Sequence, residues 1–196
     1  MLKINGKNND ILYVDVEFKG LSHLVINNNT FGVLRINCQK IQNIEISNNK
    51  ITEGIFEHDF NSIKPLISLS ITHNYLEFLN INISKLNNLK CLDLSSNKIK
   101  VFDIELPPNL RELNLYDNFL SRIEINSVSL NRINLANNRL IVIKLNCINL
   151  DTLGSRIYRD HLKKVRLNHS SRSYNYYEMD IKNRKTINKC RFYEKK

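Results

Sequence analysis

Apolar residues recur along the chain at one fixed spacing. In the clearest stretch, which begins at Leu89, they fill the first, fourth, sixth, eleventh, fourteenth and sixteenth positions of a unit. Met1 fits as the start of the first unit, and later units are 20 to 25 residues long. Their first residues are Leu21, Ile41, Leu66, Leu89, Leu110, Leu130 and Leu150. A period of this length predicts a repeat architecture in which stacked copies share one core.

Two segments of each copy alternate between apolar and polar residues. Positions 4 and 6 predict a strand with one buried face, and positions 14 and 16 predict a second extended segment on the return path. The first copy departs from the pattern because it has Gly6 at position 6. The third copy carries an insert, residues 53–65, whose apolar spacing predicts a short helix that ends before Pro65.

Position 9 is Asn in seven copies. The chain contains 31 Asn, so a single Asn motif carries little weight, but composition does not explain seven in register with the apolar positions. The side-chain amide can bond backbone groups of the turn and of the next copy, which predicts a ladder of Asn side chains. Its members are Asn9, Asn29, Asn49, Asn74, Asn97, Asn118 and Asn138.

These units resemble the leucine-rich repeat family, whose signature is L-x-x-L-x-L-x-x-N-x-L, over residues 1–153. The resemblance implies an α/β class leucine-rich repeat solenoid of about seven to eight repeats. It further implies a curved parallel β-sheet on the concave side and a mostly extended convex side with few short helices. The stretch 106–113, with Pro107 and Pro108, looks most like the short bacterial-effector type of repeat.

The pattern changes after Leu153, which predicts two further regions. Residues 154–169 are expected to form a C-terminal cap, with a short helix from Ser155 to about Lys164 and with Val165 and Leu167 as a last 14/16 pair. Residues 170–196 form a basic tail, for which disorder and partial docking are both open. Residues 1–153 hold 16 Lys and Arg against 15 Asp and Glu, whereas residues 154–196 hold 13 against 4.

The resemblance implies a non-enzymatic protein-protein interaction scaffold that binds its partner on the concave face. Alternation directs positions 3, 5, 7 and 8 outward on that face. The alternative is an ordinary solvated sheet surface. Tyr116 is the one aromatic residue of the set and the expected anchor, since aromatic residues dominate binding hot spots. The candidate partner-binding residues are Glu45, Ser70, His73, Asp93, Glu112, Asn114, Tyr116, Asp117, Arg132 and Asn134.

The basic tail supports a different function, a nucleic-acid or acidic-surface binder. Its cations could contact phosphates and its Tyr residues could stack on bases. A docking segment and a solubilising arm are the other two interpretations of the tail. The candidate cations are Arg172, Lys182, Arg184, Lys185, Lys189 and Arg191.

No motif predicts an enzyme, a cofactor or a metal site. The five Gly are isolated, so no phosphate-binding loop is present. Ser70, His73, Asp93 and Ser95 would meet on adjacent strands, but an open sheet offers no evident oxyanion donors, and ordinary polar surface is the favoured interpretation. The adjacent residues of 57–59, Glu-His-Asp, cannot all face one metal ion.

Composition predicts an intracellular protein, cytoplasmic or nuclear, with no membrane partner. The four Cys form no CxxC pair, the N-terminus shows no signal peptide, and no apolar run approaches about 18 residues. The bias toward Asn, Ile and Lys is typical of an AT-rich genome, which favours a viral or microbial protein that interacts with a host. An adaptor for a larger assembly is a third hypothesis, and the oligomeric state and the partner's identity stay open.

Overall fold

The described residues form fourteen β-strands and no helix. The structure is a computed structural model that describes residues 1–5, 13–17, 19–29, 33–52, 64–79, 83–154, 164–168 and 177–180. The strands are β1 Leu2–Asn5, β2 Tyr13–Glu17, β3 His23–Asn27, β4 Val33–Asn37, β5 Asn43–Ser47, β6 Ser68–Thr72, β7 Cys91–Asp93, β8 Glu112–Asn114, β9 Arg122–Ser127, β10 Arg132–Asn134, β11 Val142–Cys147, β12 Thr152–Gly154, β13 Lys164–Asn168 and β14 Tyr177–Asp180.

The strands belong to three sheets that the chain visits in turn. The main sheet has eight parallel strands in the order β1-β3-β5-β6-β7-β8-β10-β12. A second sheet has the order β14-β13-β11-β9, and a third pairs β2 with β4. Because each strand of the main sheet is followed by a return segment before the next, the chain is a parallel β-sheet solenoid.

The core consists of rows of Leu and Ile that run across the main sheet. Pairing places Leu24 opposite Ile44, and the same register continues through every neighbouring strand as far as Leu153. The position 4 and position 6 side chains of copies two to seven are almost completely buried. Burial of each such side chain contributes about 1.5–3 kcal/mol. A single copy cannot bury these side chains by itself, so it gains this stability only by stacking on its neighbours.

The predicted register of the first copy is wrong. Leu2 pairs with Leu24 and Ile4 with Ile26, so Leu2 and Ile4 occupy positions 4 and 6 in place of Ile4 and Gly6. The physical reason is that glycine has no side chain to fill a core position, whereas Leu2 and Ile4 pack against the core. Counted from Ile4, position 9 falls on Lys7 and not on Asn9, and both residues lie outside the described ranges.

The return segments of copies one, two, six and seven contain the strands β2, β4, β9 and β11, whereas residues 99–106 of copy five are described without a strand. Ile143 of β11 lies between Ile123 of β9 and Val165 of β13. The pairing of Leu145 with Leu167 makes residues 165 and 167 a further 14/16 pair, as the sequence predicts. Lys164 belongs to β13, so the predicted helix does not include it. Residues 53–63 and 155–163, where the two helices are predicted, lie outside the described ranges.

One strand falls inside the predicted tail. β14 pairs with β13, and this is the single antiparallel pairing among the described strands. The predicted boundaries at residues 153 and 169 stay predictions. No helix in the described part of the chain has the length and apolarity needed to cross a membrane.

Candidate binding surfaces

The outer face of the main sheet carries the candidate residues that the sequence places on the concave side. Five of them form one row at position 5, because the strand register aligns them across neighbouring strands. That row is Glu45, Ser70, Asp93, Asn114 and Asn134. Glu112 and Arg132 lie opposite each other in the position 3 row and form an ion pair.

Three residues of the position 5 row bond their own backbone. The side-chain oxygen of each accepts a hydrogen bond from the backbone N–H two residues later, at distances of 2.9 to 3.2 Å. These side chains thus close the turn that ends each strand, as Asx turns do. The pairs, acceptor first, are Asp93 with Ser95, Asn114 with Tyr116, and Asn134 with Ala136. Asp93 also accepts from Nδ2 of Asn114 at 3.1 Å.

Glu45, His73 and Tyr116 are the exposed candidates with no described side-chain partner. Tyr116 directly follows β8 and is 42% exposed. Asp117 is half-buried and accepts a hydrogen bond from Asn137. The outer face therefore combines pre-ordered polar groups with one exposed aromatic ring.

Ser70, His73, Asp93 and Ser95 do not form a catalytic constellation in the described contacts. Ser70 and Asp93 pair across β6 and β7, but the carboxylate of Asp93 bonds Ser95 and Asn114 and not His73. The described residues contain no cluster of three or more His, Cys, Asp or Glu that could hold a metal ion.

Position 8 has left-handed backbone in six consecutive copies. The φ angles lie between 53° and 60°. Asn, Asp and His are enriched in this region, and five of the six residues are of these types. The residues are Asn28, Asn48, His73, Ser96, Asp117 and Asn137. Position 8 is consequently a turn position, so the strand alternation used to predict the direction of its side chain does not apply there.

Six of the seven predicted ladder residues lie in the described part and are buried: Asn29, Asn49, Asn74, Asn97, Asn118 and Asn138. Each donates from Nδ2 to carbonyls of its own turn and to the position 6 carbonyl of the preceding copy. In four of them Oδ1 accepts the position 11 N–H of the preceding copy. The ladder bonds therefore run backward, not to the next copy as the sequence reasoning expects.

A second set of Asn side chains links the copies just before three of the main-sheet strands, β7, β8 and β12. The Nδ2 atoms donate to a backbone carbonyl 21 to 24 residues earlier, at 2.6 to 3.0 Å. The residues are Asn88, Asn109 and Asn149. Sequence reasoning missed them, although their common position directly before the first residue of a copy was visible in the alignment. Asn88 and Asn109 also line an open cleft of about 300 Å³ with Lys90 and Arg111.

A row of exposed side chains at position 10, here named the edge row, was also missed. Cations and aromatic rings alternate along it: Lys50, Tyr75, Lys98, Phe119 and Arg139. The Nζ of Lys98 lies 4.2 Å from the centroid of the Tyr75 ring, and the Cζ of Arg139 lies 4.9 Å from that of Phe119. The alternation was readable once copies three to seven had been aligned.

The described thiols are held apart from one another and form no disulfide. Cys38 and Cys147 are buried, and Cys91 is half-buried at position 3 of the outer face. Burial raises the pKa of the Cys147 thiol to about 11, against a weaker opposing effect of its hydrogen bond with the backbone of Ser127. Cys190 and the candidate tail cations at 172, 182, 184, 185, 189 and 191 lie outside the described ranges.

No family model matches the chain, and no curated protein shows significant similarity to it.

Proposed function

We propose that the chain is an α/β class leucine-rich repeat protein whose function is non-enzymatic protein binding on the outer face of the main sheet. The observation that carries this proposal is the uninterrupted parallel register of eight strands. That register fixes the outward side chains of neighbouring copies in rows on a common backbone. A surface ordered before binding loses little conformational entropy when a partner docks, which favours affinity.

Tyr116 is the proposed anchor of this surface. The residue is 42% exposed, and its backbone N–H donates to Oδ1 of Asn114 at 3.1 Å, so the backbone that carries the ring is fixed. Glu45 and His73 are exposed, and the Glu112–Arg132 ion pair presents both signs of charge. An aromatic anchor surrounded by polar groups is the usual composition of a binding hot spot and its rim.

Affinity capture with paired variants tests the proposal. The full chain is immobilised and exposed to nuclease-treated lysate in high salt, which suppresses phosphate-mediated capture. We expect one or a few proteins to be retained, and Tyr116→Ala and Glu45→Ala to lose them. Glu124→Ala and Val128→Ala, exposed outside the main sheet, are the matched controls. Equal retention by all four variants would exclude the outer face as the binding surface.

The charge distribution favours one alternative, a nucleic-acid or acidic-surface binder that acts through the tail. Residues 154–196 hold 13 Lys and Arg against 4 Asp and Glu. Replacing the candidate tail cations by Gln in the full chain would then abolish capture, and affinity would fall steeply with salt. Retention of a protein partner by this variant in high salt would instead support the outer face.

A further inference from the structure

The edge row is held in register by the backbone. The N–H of Tyr75 donates to the carbonyl of Ile51 at 2.8 Å, and the N–H of Phe119 donates to that of Ile99 at 2.9 Å. Lys98 makes the equivalent bond to Leu76 at 2.8 Å. Position 10 of copies four, five and six is thus tied to position 11 of the copy before it. At about 4.8 Å per copy the row extends for roughly 20 Å.

Two aromatic rings of the edge row are exposed. Tyr75 is 43% and Phe119 is 39% exposed, while the apolar residues at position 11, next to them in sequence, are buried. In each case the cation of the following copy lies against the ring. Such cation–π contacts restrict the motion of a ring before any ligand binds, which lowers the entropic cost of binding.

The edge row is also electropositive. Positions 10 and 12 of copies three to seven carry four cations and one carboxylate. The carboxylate is Glu77, which pairs with Lys100 at 2.7 Å, and the hydrogen bond and charge of Lys100 lower the pKa of Glu77. Three cations at position 10 pair with no described carboxylate: Lys50, Lys98 and Arg139, of which Lys98 and Arg139 lie over the rings.

We propose that the edge row binds single-stranded nucleic acid. A single strand combines repeated negative charge with flat bases, so it can contact both components of the row: cations bind phosphates and aromatic rings stack with bases. An acidic peptide would use the cations and leave the rings without a matching group. In a duplex the base faces are already stacked on one another. The length of about 20 Å suits a few nucleotides.

Fluorescence anisotropy with a labelled deoxythymidine oligonucleotide of about 15 residues tests the proposal on the full chain. We expect Tyr75→Ala and Phe119→Ala each to weaken binding by about fivefold or more, the lower end of the range for loss of one base–aromatic stack. Val101→Ala and Val128→Ala are matched controls, because both side chains are exposed apolar groups outside the row. These controls should bind like the parent.

A second pair of variants keeps the test decisive if the alanine variants unfold. Tyr75→Leu and Phe119→Leu retain apolar bulk but remove the aromatic face, and circular dichroism establishes that they fold. Weakened binding by the leucine variants supports stacking, and unchanged binding overturns the proposal. Lys98→Gln and Arg139→Gln should each reduce the slope of log affinity against log salt by about 0.7.

Three further arms separate the edge row from other sources of binding. A full chain with the six tail cations replaced by Gln should still bind the oligonucleotide. If that variant loses binding while the ring variants bind like the parent, the activity belongs to the tail. Equal affinity for duplex DNA would overturn the single-strand assignment. If polyglutamate binds equally well and the ring variants bind both probes like the parent, an acidic protein is the ligand and the proposal is overturned. Absence of oligonucleotide binding at low salt overturns the proposal outright.

Discussion

Position 8 illustrates how a single residue can determine the turn of a repeat. The left-handed conformation costs roughly 1–2 kcal/mol for a residue with a Cβ, and Asn and Asp reduce this cost through local hydrogen bonds. Ser96 is the one residue of the six that is not Asn, Asp or His. The spacing of apolar residues does not predict this conformation. Glycine would have been the plainest signal for it, and position 8 has no glycine in the described copies.

Ser96→Gly should raise the free energy of unfolding by about 0.5–1 kcal/mol. Glycine removes the strain at φ 54°, and this gain exceeds the added entropy of the unfolded chain. Ser121→Gly is the matched control: Ser121 is exposed and is not among the positive-φ residues, so this change should be destabilising. Urea titrations followed by circular dichroism give both values, and a stabilising control would refute the argument.

Asn118 shows how much one buried amide can satisfy. Its Nδ2 donates to the carbonyls of Leu94, Leu115 and Tyr116 at 3.0 to 3.2 Å, and its Oδ1 accepts from Ile99 at 3.0 Å. Asn118→Ala should therefore cost about 1–3 kcal/mol, because it leaves buried backbone groups without partners. Asn126→Ala, at an exposed position of β9, should stay within about 0.5 kcal/mol of the parent in the same urea titration.

Strand length in the main sheet varies with the residue at position 5. β3, β5 and β6 have five residues and carry Val25, Glu45 and Ser70 there, whereas β7, β8 and β10 have three. In the short strands the Asp or Asn at position 5 accepts the N–H of position 7. A side chain thereby takes the place of the neighbouring strand as acceptor for the position 7 N–H, and the strand ends there, although the position 8 N–H of Ser96 and of Asp117 still donates to the next copy at 2.9 and 3.0 Å.

Asn134→Ala should increase the hydrogen-exchange rate of the Ala136 amide by about fivefold, since this amide loses an acceptor worth about 1 kcal/mol. Asn134→Asp keeps an oxygen at the same place and should preserve protection, as Asp93 does for Ser95. Exchange measured by NMR distinguishes the two variants. Equal rates in both would show that the side chain does not end the strand.

The elements of copies two to seven could be predicted because the buried residues are spaced as their strands require. The first copy could not, since alignment by a constant period placed Gly6 in the core, while packing selects Leu2 and Ile4. The direction of the Asn ladder could not be predicted from the sequence either, because equal spacing is compatible with hydrogen bonds to the preceding or to the following copy. The position 5 row was predicted as outward, but its turn-closing bonds depend on backbone geometry that spacing does not specify.

At the scale of the whole molecule, the repeat copies form a linear array in which each copy is stabilised by the copies next to it. Pairing in the main sheet joins each strand only to its direct neighbours, so a defect in a central copy weakens both sides. Leu115→Ala should cost about 2–5 kcal/mol, because Leu115 is completely buried. Val101 is 64% exposed, so Val101→Ala should change the free energy of unfolding by less than about 0.5 kcal/mol. Urea titrations followed by circular dichroism measure both variants.

Cys147 should make the stability of the molecule fall at alkaline pH. Burial raises its pKa from 9.0 to about 11, so between these values the unfolded chain loses the thiol proton while the folded chain keeps it. The unfolded state then binds fewer protons, and stability decreases as pH rises from 9 to 11. Cys147→Val removes this contribution. The urea midpoint is measured against pH for the parent and for Cys147→Val, and the two curves should diverge above pH 9. Curves that keep a constant separation would contradict the assignment to Cys147.

The backward direction of the Asn ladder has a consequence for synthesis. A ribosome releases the chain from its N-terminus, so each copy emerges before the copy whose Asn completes its turn. The turn of one copy, at Ile99 for example, stays unsatisfied until Asn118 has been made. Folding during translation should therefore trail emergence of the chain from the ribosome by one repeat. A nascent chain whose emerged part ends before residue 118 would leave the turn at Ile99 open, and emergence of Asn118 would close it.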